Sequence, residues 1–312
     1  MVFDNHTHTT ISNLRLLDCI NDPIQLIDKA IELGLAGIAI TDHEALCAHM
    51  DVNEYAKKLQ ETHPEFTVAL GDEIYLTDTR DKGQKYYHFI LIAKDAIGHR
   101  CLRELSTKAW LNSYYDRGME RVPLLKEELK SIYSRFRGHL IATTACLGGE
   151  LGTSVLNLID CENALDTINA QRYHNQIAVF LEYCLDLFGD DFYIEVAPAK
   201  SKDQIAANKR FVKIAEAFGI KMCVGSDSHY LRKEDRYVHK AYLTSKPRER
   251  EVDSFYEYCY LMDEQEIREN LRAGLPDEVI DQIFLNSIEK AKKIEFYVLS
   301  HSHQVTEFPV KD

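Results

Sequence analysis

Seven short apolar runs alternate with stretches of helical periodicity, and that alternation limits what this chain can become. The runs cover residues 2–8, 36–40, 67–76, 86–93, 139–142, 192–196 and 220–224. Several are apolar throughout rather than alternating, which suits strands buried on both faces. Between them lie helical patterns. Asp22 and Pro23 form an N-cap and first-turn pair, Ile24, Ile27 and Ile31 make a stripe, and Gly34 ends it. Further helices are expected over 45–62, 98–110, 123–136, 162–188, 202–218, 263–272 and 276–293, with 78–85 as a polar loop and 300–312 as a loose tail. Strands separated by helices spell an α/β fold with a parallel sheet and crossover helices, most simply closed as a barrel.

In such folds chemistry collects where strands end. Here the strand ends carry His6 and His8, then His43, Glu73, His88, Cys146, and finally Asp227 and His229. In a strand ending at His8, the side chains of His6 and His8 point the same way and can share an ion. Any one of these residues has a structural explanation, but their coincidence at one end of one barrel is hard to obtain that way. Histidine, carboxylate and thiolate together suit Zn, Mn or Fe better than Mg or Ca. The donors are too many for one ion and enough for two or three. Clustered ions in an open cleft suit phosphate ester hydrolysis.

Composition narrows the function further. A formal net charge of -13 argues against a broad basic surface for duplex DNA, although bound cations can reverse the sign locally. Eight cysteines without a C-x-x-C pair read as reduced, mostly packed thiols. With no apolar run long enough to span a bilayer, the expectation is a cytoplasmic protein without a membrane partner.

Taken together, the segments His6-Thr7-His8, Leu16-Leu17-Asp18, Ile40-Thr41-Asp42-His43, Gly71-Asp72-Glu73, His88, Ala145-Cys146-Leu147-Gly148-Gly149-Glu150 and Asp227-Ser228-His229 resemble the PHP (polymerase and histidinol phosphatase) family. The wording is nearest to the N-terminal PHP domain of the bacterial DNA polymerase III alpha subunit. The resemblance runs from His6 to about Ile294. It implies a distorted (β/α)7 TIM-like barrel with extra C-terminal helices, divided as a barrel over 1–245 and a helical extension and tail packed on it over 246–312. It also implies a trinuclear centre. His6, His8, Glu73 and Asp227 would hold one ion, Glu73 with His88 and Cys146 a second, and Asp18, His43 and His229 a third. The loop to Asp18 is longer than the family pattern, so Asp22 is the alternative there. Asp42 would orient a ligand, and Glu195 matches a family position near the site.

By the same resemblance the chain is expected to be a metal-dependent phosphoesterase acting on DNA 3′ ends in replication, in the manner of a 3′-5′ exonuclease. His6, His8, Glu73, His88, Asp227 and His229 would carry the chemistry. The alternatives are a structural module without turnover and a small-molecule phosphatase of the histidinol phosphatase type. No Asp-x-Asp pair occurs, so no polymerase palm is present, and a separate polymerase catalytic subunit is an expected partner beside single-stranded DNA or a DNA 3′ end. Arg100 and Arg103 are candidate phosphate contacts. Arg232, Lys233, Arg236 and Lys240, and then Lys246, Arg248 and Arg250, could guide a strand, while Tyr86-Tyr87 and Tyr114-Tyr115 could stack on bases.

Overall fold

A computed structural model describes residues 1–81, 83–116, 119–245 and 255–299. Its strands are β1 (Phe3–Thr7), β2 (Gly37–Ile40), β3 (Thr67–Thr77), β4 (Tyr87–Ala93), β5 (Tyr114–Asp116), β6 (Met119–Arg121), β7 (Pro123–Leu125), β8 (Leu140–Thr143), β9 (Phe192–Val196) and β10 (Lys221–Val224). The main sheet runs β1-β2-β3-β4-β8-β9-β10, with β7 added beside β3 and with β5 and β6 as a separate hairpin. Its two outer strands meet: His8 N–H donates to Ser228 O at 2.9 Å and Ser228 N–H to His6 O at 3.3 Å. The sheet therefore closes as a distorted seven-stranded α/β barrel.

The helices are α1 (Pro23–Glu32), α2 (His49–Thr62), α3 (Ala96–Trp110), α4 (Lys126–Tyr133), α5 (Glu150–Asn163), α6 (Thr167–Phe188), α7 (Lys202–Phe218), α8 (Arg236–Thr244), α9 (Glu264–Leu271) and α10 (Asp277–Ala291). α1 begins as its sequence dictates, with Asp22 accepting from Ile24 N and Gln25 N and Pro23 in the first turn. The large core lies between strands and helices. A smaller one fills the barrel interior with Phe3, Ala39, Ala69, Ile90, Ile92, Ile141, Tyr193 and Cys223. These interior side chains form the floor on which the polar residues at the mouth rest.

Four expectations need correction. The sheet is not all parallel, because β4 runs antiparallel to both β3 and β8. The described residues between β3 and β4 hold no helix, and without a crossover only a hairpin-like return is open to the chain. The expected helix over 123–136 begins three residues late, since Pro123–Leu125 pairs with Tyr75–Thr77 as a strand. The helix expected from 45 starts at His49. The helix expected over 162–188 starts only at Thr167, because residues 162–163 close a separate and unexpected helix, α5, and Leu165 adopts a left-handed φ of 56° before Asp166 caps α6.

α10 completes the wall over β10 and β1. Ser287 Oγ accepts from Val224 N at 3.2 Å, Asn286 donates to Met222 O at 3.1 Å, and Lys290 Nζ lies 5.3 Å from the centre of the Phe3 ring. Residues 246–254 and 300–312, including the Lys246, Arg248 and Arg250 group and the expected tail, fall outside the described residues. Among the described residues no helix is long and apolar enough to cross a membrane.

Candidate metal centre

At the mouth of the barrel the chain makes its sharpest turns. Left-handed backbone occurs at Glu44 (φ 46°), directly after His43, at Ala145 (φ 56°), directly before Cys146, and at Asp227 itself (φ 52°). Each such turn in a non-glycine residue costs about 1–2 kcal/mol. Its concentration here marks a site that the surrounding packing holds in place.

His6 and His8 bring their Nε2 atoms to 3.0 Å of one another. Asp227 Oδ1 is 3.2 Å from the first and 3.1 Å from the second, and Glu73 Oε1 is 3.2 Å from His6 Nε2. Nitrogen donors on one tetrahedral zinc, each bonded at 2.0–2.1 Å, stand roughly 3.3 Å apart. The spacing of these four residues is thus that of donors around a single ion.

The outer hydrogen bonds fix which ring nitrogens are donors. Glu195 accepts from His6 Nδ1 at 2.7 Å, so the proton sits on Nδ1 and the Nε2 lone pair faces inward. Glu195 is itself held by Asn5 Nδ2 at 2.7 Å and Thr143 Oγ1 at 2.9 Å. Gly225 leaves room for it, since a Cβ there would lie 2.3 Å from Glu195 Cδ. Ser12 Oγ gives its proton to Asp42 Oδ1 at 2.7 Å, which leaves it free to accept from His8 Nδ1 at 3.1 Å. His229 Nδ1 donates to the carbonyl of Asp227 at 2.7 Å. Three imidazoles therefore share one tautomer, with Nε2 available to a cation. Replacing Glu195 by Gln puts an amide opposite His6 and is expected to weaken metal binding about 10–100-fold. Competition with a fluorescent chelator measures this, and an unchanged affinity would remove Glu195 from the centre.

Two further groups adjoin the first. Glu73 Oε1 is 3.0 Å from His88 Nδ1, and Cys146 Sγ is 3.9 Å from the same nitrogen. His88 was expected at a strand's C-terminal end, but it lies near the start of β4 and reaches the mouth because that strand is reversed. Gly149, the N-cap of α5, allows the close approach, as a Cβ would meet Thr144 O at 2.1 Å. On the other side, Asp18 Oδ2 is 3.6 Å from His43 Nε2 and 3.7 Å from His229 Nε2. Asp18, not Asp22, occupies this place, because Asp22 caps α1. The longer loop is pinned by Asn13 Oδ1, which accepts from Asp18 N at 3.1 Å, by His239 of α8, which donates to the Asp18 carbonyl, and by Tyr256 Oη on Asp18 Oδ2 at 3.3 Å.

Donor atoms of Asp227, His229 and Cys259 also lie within 4.8 Å of one another, so Cys259 belongs beside the centre rather than among the packed thiols. No sequence pattern marks Cys259, His239 or Tyr256, which arrive from the C-terminal third of the chain. Glu195 does carry a signal: it is a lone carboxylate within an otherwise apolar strand.

The residues fit divalent ions. His43 Nε2 is buried without a hydrogen-bond partner, its nearest carboxylate oxygen, Asp18 Oδ2, standing 3.6 Å away, as an atom kept for a cation would be. Electrostatics agrees. Burial disfavours a charged ring at His43, yet the carboxylates of Glu73 and Asp18 outweigh it and push its pKa up to about 10. Burial, then the charges of His43 and His229, push His8 down to about 3. Burial raises Asp227 and Glu73, but the surrounding histidines overcome it and leave both ionised. Cys146 is driven upward by burial and by Asp227 and Glu73, a thiol that a cation would convert to thiolate.

Arg100 and Arg103 are not brought to this mouth. They lie on the first turns of α3, which follows Ala93, while His88 sits at the other end of β4, about 17 Å away along the strand. Arg100 donates to Glu104 at 3.2 Å on the outer surface.

The PHP domain family profile matches residues 4–199. The chain belongs to the PHP domain family. Among PHP relatives, a protein named probable DNA polymerase YorL of Bacillus subtilis is 41% identical over 309 residues, covering 95% of this chain and 24% of the relative. A DNA polymerase III subunit alpha of Borreliella burgdorferi is 30% identical over 240 residues, covering 74% and 18%. This PHP chain thus spans about a quarter or less of the length of the polymerases it matches. Among solved structures, an amidohydrolase from Chromobacterium violaceum superposes with a TM-score of 0.42 at 17% identity, over 73% of this chain and 88% of that one.

Proposed function

We propose that this chain is the metal-dependent phosphoesterase module of a replicative DNA polymerase, removing nucleotides from DNA 3′ ends in the manner of a 3′-5′ exonuclease. The observation that carries this reading is the gathering of nine donor side chains at one barrel mouth: His6, His8, Asp18, His43, Glu73, His88, Cys146, Asp227 and His229. Two or three divalent ions held there, of Zn, Mn or Fe, would polarise a phosphoryl group and lower the pKa of water. The chain's own groups do the rest. Glu195, Ser12 and the Asp227 carbonyl hold the imidazoles in register. Glu73 stands between the three donor groups. The walls of Tyr75, buried against His43 and His88, limit water at the centre. A polymerase catalytic region, on the same or a separate chain, is the proposed partner.

The test uses protein reconstituted with Mn or Zn and given a labelled single-stranded oligonucleotide, p-nitrophenyl phosphate or histidinol phosphate. Stepwise release of 3′ mononucleotides, abolished in His88→Ala and Asp227→Ala, is the expected result. Turnover of histidinol phosphate alone would make the chain a small-molecule phosphatase. Full metal loading with no turnover of any ester would make it a structural module.

A further inference from the structure

Arg15 lies on the loop that leads from β1 to Asp18, and its surroundings set it apart from the other arginines. Its guanidinium carbon is 5.5 Å from the centre of the Tyr75 ring and 5.7 Å from that of Trp110. Nη1 donates to the carbonyl of Glu120 at 2.6 Å. Nε is buried with no hydrogen-bond partner. Among the described residues it makes no ion pair. Glu44, fully buried nearby, gives Oε1 to Tyr75 N at 3.1 Å and makes no ion pair with Arg15. A half-buried guanidinium, fixed by two aromatic faces and a carbonyl yet without a carboxylate, is a preorganised anion site.

Its position says which anion. The Tyr75 ring that carries Arg15 is 5.9 Å from the His43 ring and 5.2 Å from the His88 ring. Tyr75 continues outward to Tyr86, at 5.2 Å between ring centres, and Arg121 closes that line with its guanidinium 5.5 Å over the Tyr86 ring and a hydrogen bond to Tyr86 Oη. Arg121 belongs to β6, so the β5–β6 hairpin and the Asp18 loop meet here, linked by the Arg15–Glu120 bond. Two guanidinium groups thus flank an aromatic pair that begins at the metal donors and ends at the protein surface.

We infer that Arg15 binds the phosphodiester next to the one at the metal centre, and that Arg121 extends the same track, so the site selects a single-stranded polynucleotide over an isolated phosphate monoester. A monoester carries one phosphate and cannot use this track. A strand presents its next phosphate one nucleotide further on, where arginine grips it through two parallel N–H donors. Tyr86, partly exposed at the outer end of this line, offers a ring to a base of a single strand. This inference rests on the proposed phosphoesterase reading for the chemistry, but not for the binding.

The decisive experiment compares wild type with Arg15→Gln and Arg15→Lys on two readouts. The first is fluorescence anisotropy of a fluorescein-labelled eight-residue oligothymidylate as a function of salt. Arg15→Gln is expected to bind at least tenfold more weakly, with a salt slope reduced by about one. Arg15→Lys keeps the charge but not the paired donors and should fall between. The second is the ratio of kcat/KM for the oligonucleotide to that for p-nitrophenyl phosphate, expected to fall at least tenfold in Arg15→Gln. Equal losses on both esters, or binding and salt slope like wild type, would overturn the inference and leave Arg15 as a clamp for its loop. If wild type turns over neither ester, the phosphoesterase reading fails while the anisotropy still decides the role of Arg15.

Discussion

Glu73→Gln is expected to reduce phosphoester turnover about 10³-fold or more, the scale on which loss of an electrostatic anchor at a reacting centre is felt. One Glu73 oxygen lies 3.2 Å from His6 and 3.0 Å from His88, and the other 2.5 Å from His43 and 3.7 Å from His8. Among the described residues no other carboxylate lies this near four of the histidines. Glutamine has nearly the same shape, so the buried packing survives. However, its NH2 group would turn a donor toward the protonated His43 ring or toward a bound ion, and its single neutral oxygen cannot serve two ions. Elemental analysis after saturation should find two or three ions per wild-type chain and at least one fewer in the variant. The circular dichroism spectrum should be unchanged. A variant with wild-type metal content and turnover within tenfold of wild type would disprove the central place given to Glu73.

Metal binding is expected to displace protons and to reverse the protein's response to pH. Without a cation, His43 has its pKa raised to about 10 from 6.5, so it is protonated at pH 7.5, and the Cys146 thiol is protonated too. An ion must remove these protons. Calorimetry at pH 7.5 in buffers of differing ionisation enthalpy should therefore show net proton release. The apparent association constant should therefore rise about tenfold per unit increase in pH for each proton displaced.

The sign for stability follows from the same group. Because the folded pKa of His43 exceeds the unfolded value, its contribution is complete below about pH 6.5 and is lost as pH rises through about 10. His8 works the other way: its folded pKa of about 3 means that stability is lost as pH falls from 6.5 toward 3. Metal-free protein should thus melt highest near neutrality and lower toward pH 10. Ions at a thousand times their dissociation constant add about 4 kcal/mol and should raise Tm most at alkaline pH. Proton release of zero, or a Tm in metal-free protein that climbs from pH 7 to 10, would contradict this picture of the site.

Much of this was legible in the sequence because the fold and the site are written in the same places. Each of the seven barrel strands could be located from its apolar run, and the donors sit where those runs stop. Asp22 and Pro23 announced α1, and Gly219 closed α7 in the left-handed conformation its sequence suggests. The direction of β4 was also within reach, since a nine-residue polar loop cannot carry a crossover helix. What could not be read were contacts made across the chain. Tyr256 and His239 reach Asp18 over more than 200 residues, and Lys290 contacts Asn5 inside the barrel wall. Arg15 sits among residues from three distant segments, while Arg100 and Arg103 have the right chemistry at the wrong end of a strand. Charge and residue type mark a phosphate ligand only once the topology says which end of the barrel it occupies.

The seam between β1 and β10 has a consequence for how the protein comes into being. His8 and Asp227 are 219 residues apart in the chain, yet their donor atoms are 3.1 Å apart. At 5–20 residues per second, a ribosome would need on the order of ten to forty seconds to make Asp227 after His8. Throughout that interval the first histidines are available to any ion in the cell, but only as a weak pair. The ions the protein keeps are therefore selected by the closed barrel, once Asp227 has emerged, not by the order in which its ligands appear.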